Sequence, residues 1–293
     1  MKRAGFANRW LPILLLVPQL AIIAIFFYWP ALHAVKESFY LQDPFGFGST
    51  FVGLENYSSL LSNAEYGRIA LFTLVFTVLV TFCSLALALL LAVKADKVLR
   101  GAKTYRTLLM WVYAVAPPVA GFVFLILFNQ RWGPLTELIQ SFGHNFVIGV
   151  NYYDTAFAMM VTSVWKQIPV NFIFFLSGLQ SIPKSVREAA LIDNRSASGR
   201  FWDVTFPLLA PTGFFLLITN ITYSLFETFG TIDAILKGEP GNNPMTLVYK
   251  VYVDGFRGGD LGGSSAQSVI LMVLVLALTI FQFRLVERRI HYT

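Results

Sequence analysis

Few residues of this 293-residue chain are placed to do chemistry, and their spacing narrows what kind. His33, His144 and His291 are scattered over loops and ends without metal-ligand spacing. The lone cysteine, Cys83, sits in an apolar run, so no internal disulfide can form and thiol–metal chemistry has no support. No nucleophile–base pair has a local signature. The nearest approach to a phosphate-cradling loop is Gly178-Leu179-Gln180-Ser181-Ile182-Pro183-Lys184-Ser185. There Pro183 replaces a glycine and lacks the N–H that a cradle needs. We therefore expect no catalytic residue, no metal site and no cofactor bound by this chain. What remains is polar groups inside apolar runs. Ser163, Gln167 and Asn171 recur at i, i+4, i+8 beside Lys166, while Asn220, Tyr223 and Glu227 recur at i, i+3, i+7. Two such stripes suit a hydrated route through an apolar medium, or hydrogen bonds between helices.

The elements that position them are membrane helices. The chain is 56% hydrophobic and 13% charged, far from the ~25% charged of soluble proteins. Six segments reach the roughly 20 apolar residues that a span requires, over about 11–35, 68–93, 105–128, 155–179, 206–227 and 265–286. We read one all-α transmembrane domain over 1–293. Lys and Arg divide 15 to six between the two sets of loops and ends, with Lys166 inside a span. The positive-inside rule then makes both termini cytoplasmic. Because the net charge of +6 follows from topology, it does not point to nucleic acid. The first run is too long for a signal-peptide core and reads as a retained span with Tyr28 and Trp29 at its outer interface.

Lys166 falls near the bilayer midplane, ~15 Å along its helix from Ala156. A centred lysine costs at least about 2.5–3.5 kcal/mol, so it must face protein or water. Glu227 lies ~10 Å further outward than Asn220 by the same rise, which argues against a direct Lys166 partner. In the third span Pro117 and Pro118 follow Tyr113 and remove two backbone donors. A kink or interruption is expected there, as a hinge or a wall of a path. Thr73, Thr77 and Thr81 give the second span a face for packing on a neighbour.

One polar stretch lies between spans, Ser181 to Pro207. Ser185 and Glu188 have capping-box spacing, Val186, Ala189 and Ala190 share a stripe, and Asn194-Arg195-Ser196 offers a bend. Ser196 can cap a second short helix ending before Pro207. The segment reads as two short cytoplasmic helices that dock something, or as an ordinary connection. Of the two long outer loops, residues 41–67 carry turn signals, and Met245–Phe256 reads as a short amphipathic helix or strand.

Within that stretch, Glu188-Ala189-Ala190, Asp193 and Val204-x-Phe206-Pro207 resemble the EAA loop of permease subunits of bacterial binding-protein-dependent ABC importers. The spacing fits throughout, with Asn194, Val204 and Phe206 standing where that family has Gly, Ile and Leu. Phe51–Tyr57, Leu179–Pro183 and Gly238–Gly241 are similar to segments of the carbohydrate-importer branch. Asp43–Phe47, Tyr113–Pro117, Val164–Ile168 and Ala266–Val269 resemble its glycerol-phosphate members. The resemblance implies a type I ABC importer permease fold with six transmembrane helices in a bacterial inner membrane. It also implies a second homologous permease subunit, two ATPase subunits that bind ATP and Mg, and a periplasmic substrate-binding protein. Glu188, Ala189, Ala190, Asp193, Asn194, Ser196, Gly199 and Arg200 would couple to an ATPase subunit. The implied cargo is sn-glycerol-3-phosphate or a glycerophosphodiester, with a neutral sugar or oligosaccharide as the alternative. Tyr113, Ser163, Lys166, Gln167, Asn171, Asn220, Tyr223 and Glu227 are the candidate path residues. A secondary transporter using Lys166 and Glu227 as coupling charges is the rival from another class.

Overall fold

The computed structural model describes residues 10–43, 48–96, 102–193, 196–238 and 241–289. Helix α1 (Trp10–Ile23) passes through a π turn (Ala24–Tyr28) into α2 (Trp29–Glu37). A hairpin follows, β1 (Tyr40–Gln42) antiparallel to β2 (Ser49–Phe51), and then α3 (Glu55–Ser62) and α4 (Ala64–Asp96). The chain continues through α5 (Ala102–Ala114), α6 (Pro117–Leu127), α7 (Pro134–Ser141), α8 (Tyr152–Ser181), α9 (Lys184–Ile192) and α10 (Ala197–Arg200). A π turn (Phe201–Thr205) leads into α11 (Phe206–Thr222), and a further one (Tyr223–Glu227) precedes α12 (Phe229–Leu236). Helix α13 (Leu247–Tyr252), a π turn (Val253–Arg257) and α14 (Leu261–Arg289) complete it.

Among the described residues, five helical stretches are long and apolar enough to cross a membrane: Ile13–Glu37, Ala64–Asp96, Tyr152–Ser181, Ala197–Glu227 and Leu261–Gln282. The kink or interruption expected at Pro117-Pro118 is present: the span over 105–128 consists of two helices, Arg106–Ala114 and Pro117–Leu127, bent from one another by 105°. The two prolines are the cause. Ala116, forced extended by the ring that follows it, has φ −63° and ψ 145° and ends any helical path.

Contacts divide the described residues into two compact units, one within 1–66 and 250–276, the other within 67–249 and 277–293. In the first, the Asn56 amide donates to the carbonyls of Ser38 (2.9 Å) and Tyr40 (3.1 Å), fastening α3 to the start of the hairpin. Gln267, fully buried, donates to Asp254 Oδ2 at 2.6 Å while Lys250 donates to Oδ1 at 2.7 Å.

The second unit holds the candidate site, and its α4 is built inside out. Thr73, Thr77, Thr81 and Ser84 are buried, whereas Leu71, Leu74, Leu79, Phe82 and Leu90 are exposed. A lipid-facing helix loses nothing by exposing leucine, and it gains by turning small polar residues toward neighbouring helices. Continuing that face, Ala88, Ala92 and Ala95 let Phe172, Phe175, Leu176 and Leu179 of α8 and Leu209 and Leu216 of α11 pack closely.

Helices α6 and α12 approach through glycines. A Cβ at Gly121 would lie 2.7 Å from the Thr231 carbonyl oxygen, and one at Gly230 would lie 3.0 Å from Pro118 Cγ. Gly121→Val is therefore expected to force α12 away at a cost of about 1–3 kcal/mol. Thermal unfolding of the detergent-purified protein checks this; an unchanged midpoint would rule out the close approach.

Candidate functional site

The polar groups of the spans fall into three sets. The first forms at the break between α5 and α6. A continuous helix would give the Tyr113 carbonyl the N–H of residue 117, which proline lacks. Lys166, reaching across from α8, donates Nζ to that carbonyl at 2.8 Å and approaches the Val112 carbonyl at 3.4 Å, with its ammonium 5.6 Å from the centroid of the Tyr113 ring. The cation thus caps the negative end of α5, where the helix dipole and an orphaned carbonyl both favour positive charge. Lys166 is 8% exposed while Tyr113 is 57% exposed. Glu227, exposed on the π turn after α11, lies within electrostatic reach of both Lys166 and Tyr223.

The second set is a clamp joining three helices. Asn171 of α8 and Asn220 of α11 exchange amide hydrogen bonds of 2.9 and 2.7 Å. Ser84 of α4 donates to the same Asn220 Oδ1 at 2.9 Å, and Asn220 Nδ2 also donates to its own Leu216 carbonyl at 2.7 Å. All three side chains are fully buried. Ser84 has no part in the sequence reading of the path. Its signal was position, one turn beyond Thr81 on the same face of α4. Ser163 turns back to its own Met159 carbonyl at 2.8 Å, and Gln167 is buried on the same helix as Lys166.

A third set consists of hydroxyls. Thr73 Oγ1 accepts the Leu247 N–H at 2.9 Å, so α4 is cross-linked both there and at Ser84. Between those two cross-links the buried hydroxyls of Thr77 and Thr81 have no hydrogen-bond partner among the described residues, and the same holds for Tyr223, Ser224 and Thr246. A buried hydroxyl left unpaired costs about 1–3 kcal/mol. Each can both donate and accept, which suits water or a polyhydroxylated solute.

The 181–207 segment has different chemistry. Helix α9 begins at Lys184 with Pro183 as N-cap, whose carbonyl accepts the Val186 and Arg187 N–H groups. The expected Ser185–Glu188 capping box is therefore corrected: Ser185 already lies within the helix, because the fixed φ of Pro183 starts it earlier. Ser196 does cap, accepting the Gly199 N–H at 3.1 Å. The helix it starts does not stop before Pro207 as expected. It passes through the π turn Phe201–Thr205 into α11, placing Pro207 in the first turn of α11 behind a turn wide enough for its ring. Glu188, Ala189 and Asp193 are exposed, Ala190 is buried, and Gly199 and Arg200 are half-buried. Asn194 lies outside the described residues. Leu191 and Ile192, three and four residues after Glu188 on α9, expose 57 and 83% of their surface, and Trp202 exposes 58%. Such a surface suits a protein partner.

The family described as "Binding-protein-dependent transport system inner membrane component" matches residues 68–292. The chain belongs to this family. Among relatives of this permease, the sn-glycerol-3-phosphate transport system permease protein UgpA of Brucella abortus biovar 1 (strain 9-941) is 49% identical over 293 residues, covering 100% of both chains. The protein of the same description from Rhizobium meliloti (strain 1021) is 48% identical over 292 residues, again 100% of both. Among solved structures, a permease chain of a bacterial ABC transporter involved in import of the acidic polysaccharide alginate superposes with a TM-score of 0.78, at 18% identity and 96% coverage of each chain. That likeness shows the type I permease fold. The present chain is thus a multi-pass, non-catalytic membrane component of an ABC importer.

Proposed function

We propose that this permease forms half of the translocation path of an ATP-driven importer for sn-glycerol-3-phosphate or a glycerophosphodiester. The observation that carries the cargo is the 49% identity, end to end, with permease proteins described for sn-glycerol-3-phosphate transport. In this reading both termini and residues 181–207 face the cytoplasm. A second homologous permease completes the path, a periplasmic protein delivers cargo, and two ATPase subunits bind ATP and Mg. The exposed face of α9, with Glu188 and the apolar residues beside it, docks one ATPase subunit. Ser196, Gly199 and Arg200 serve that contact from the start of the helix that continues into α11, so closure of the ATPases moves α11 as a lever.

Within the span region we assign Asn171 and Asn220 to holding helices together, Ser163 to its own helix, and Lys166 to holding the break open. The hydroxyls of Thr77, Thr81, Tyr223, Ser224 and Thr246, with Tyr113 and Glu227, are the groups offered to a hydroxyl-bearing solute as the bundle opens. Uptake of radiolabelled sn-glycerol-3-phosphate by cells deleted for this gene tests the cargo. We expect uptake to fall to background, to return with the gene on a plasmid, and to resist excess maltose. Unchanged glycerol-phosphate uptake with loss of sugar uptake would overturn the assignment.

A further inference from the structure

Helix α9 is joined covalently to α8 through Ile182 and Pro183, and by the chain between Asp193 and Ser196 to the helix that becomes α11. Neither route leads to α4, which is remote in sequence. One side chain closes that gap. Arg187, the residue before Glu188, donates Nη1 to Asp96 Oδ2 at 3.0 Å and Nη2 to the Leu179 carbonyl. Asp96 is the last described residue of α4, and Leu179 lies in the final turn of α8. Three helices therefore meet on one guanidinium.

Asp96 presents a carboxylate that is only 17% exposed, and the Leu179 carbonyl is one of the C-terminal acceptors of α8. Arg187 answers both with a planar fork that fixes direction as well as charge. Its side chain is 40% exposed and that of Asp96 17%, so solvent screening makes the pair a small source of stability. A contact with modest energy and defined geometry between remote elements is better suited to setting position than to holding the fold.

We propose that Arg187 is the positioning residue that carries displacement of α9 to α4, so that a push on the docking helix reaches α4 and α8 together with α11. Higher in the bundle the Ser84–Asn220–Asn171 clamp joins the same three helices. With both links in place α4, α8 and α11 move as one body. Without Arg187, α4 follows α9 only indirectly, through side-chain packing and the distant clamp. The inference rests on the reading of α9 as the ATPase-docking helix.

The test uses the complete importer in proteoliposomes, with Arg187→Ala, Asp96→Ala, the double variant, Arg187→Lys and Glu188→Lys. ATPase subunit retention, basal ATP hydrolysis and sn-glycerol-3-phosphate taken up per ATP hydrolysed are measured for each. We expect Arg187→Ala and Asp96→Ala to retain the ATPase subunits and hydrolyse ATP normally while uptake per ATP falls about tenfold. The double variant should be no worse than either single one, and Arg187→Lys should recover part of the ratio through its remaining charge. Unchanged uptake per ATP in Arg187→Ala, or additive losses in the double variant, would overturn the proposal. So would loss of the ATPase subunits from Arg187→Ala, which would make Arg187 part of the docking surface. Glu188→Lys separates the underlying reading: if it alters neither retention nor coupling, α9 is not the docking helix. If it uncouples while Arg187→Ala does not, only the brace fails.

Discussion

Replacing Lys166 by methionine is expected to reduce maximal uptake about 5- to 30-fold while leaving the KM for cargo nearly unchanged. Methionine keeps the length and apolar stem of lysine but leaves the Tyr113 carbonyl, already deprived of a helical partner by Pro117, without a donor. An unpaired buried carbonyl costs about 1–3 kcal/mol, and each 1–2 kcal/mol shifts a two-state ratio by a factor of about 5–30. The cost falls on the state in which α5 and α6 meet at 105°, so the break itself becomes less populated. Arg in place of Lys restores two donors and a charge and should recover most of the rate. Uptake kinetics over a range of concentrations discriminate this role from direct binding of an anionic cargo. If Lys166 held a phosphate during transit, KM would rise steeply in the methionine variant. A large KM shift at unchanged maximal rate would remove the capping role.

That result illustrates which parts of the molecule were legible in the residues. Pro117-Pro118 announced the break because a missing N–H is a property of sequence, and the cost of a centred charge required Lys166 to face something. What it faced could not be read, because its acceptor is a backbone carbonyl, and every residue has one. The stripes of Asn171 and Asn220 were equally plain, and a stripe alone does not distinguish a wet wall from a dry clamp. Ser84 supplies the missing information by converging on the same oxygen of Asn220, a contact between residues 136 apart. In the 181–207 segment the Ser196 cap was read correctly from local chemistry. The Ser185 cap was not, because Pro183 starts the helix two residues too early for it. Pro207 misled for a related reason. A proline ends a helix whose spacing is fixed, whereas the π turn at Phe201–Thr205 changes that spacing just ahead of it. The hairpin of Tyr40–Gln42 and Ser49–Phe51 escaped because three-residue strands carry too little alternation to register.

The two cross-links of α4 give the hydroxyl set its meaning. At Ser84 and Thr73 each side-chain oxygen has a partner on another segment. The hydroxyls of Thr77 and Thr81 between them have none among the described residues, although nothing in residue type separates these positions. A helix pinned at two points and left unpaired between them can exchange hydrogen-bond partners there without losing its place in the bundle. That is the property required of a wall along which a polar solute passes, and it explains why the clamp must be stronger than the seam beside it.

Asn220→Leu is accordingly expected to be the most damaging single change in the bundle, and Asn171→Leu/Asn220→Leu to be less damaging than it. Removing the Asn220 amide leaves both Asn171 polar groups buried without partners, at about 1–3 kcal/mol for each orphaned group, and takes from the Ser84 hydroxyl its bond to another helix. Folded complex recovered from the membrane should fall well below a tenth of the wild-type amount, since each 1.4 kcal/mol is a factor of about ten. Converting Asn171 to leucine as well removes those orphans and replaces the pair with apolar groups of similar size, an exchange that can be nearly neutral in a core. The Ser84 hydroxyl then loses its partner on another helix but retains the Thr81 carbonyl at 3.1 Å as an acceptor on its own. Thermal unfolding of the purified single and double variants measures the coupling, expected at 0.5–3 kcal/mol by the scale of contacting residues. Additive destabilisation, with the double variant worse than either single one, would show that the two amides act independently and that the clamp is not one unit. The double variant also separates fold from transport. If it folds and still imports, the amides serve only to hold α8 against α11; if it folds and fails, the polar pair is needed while the helices move, when an exchange of hydrogen bonds is open to amides and closed to leucines.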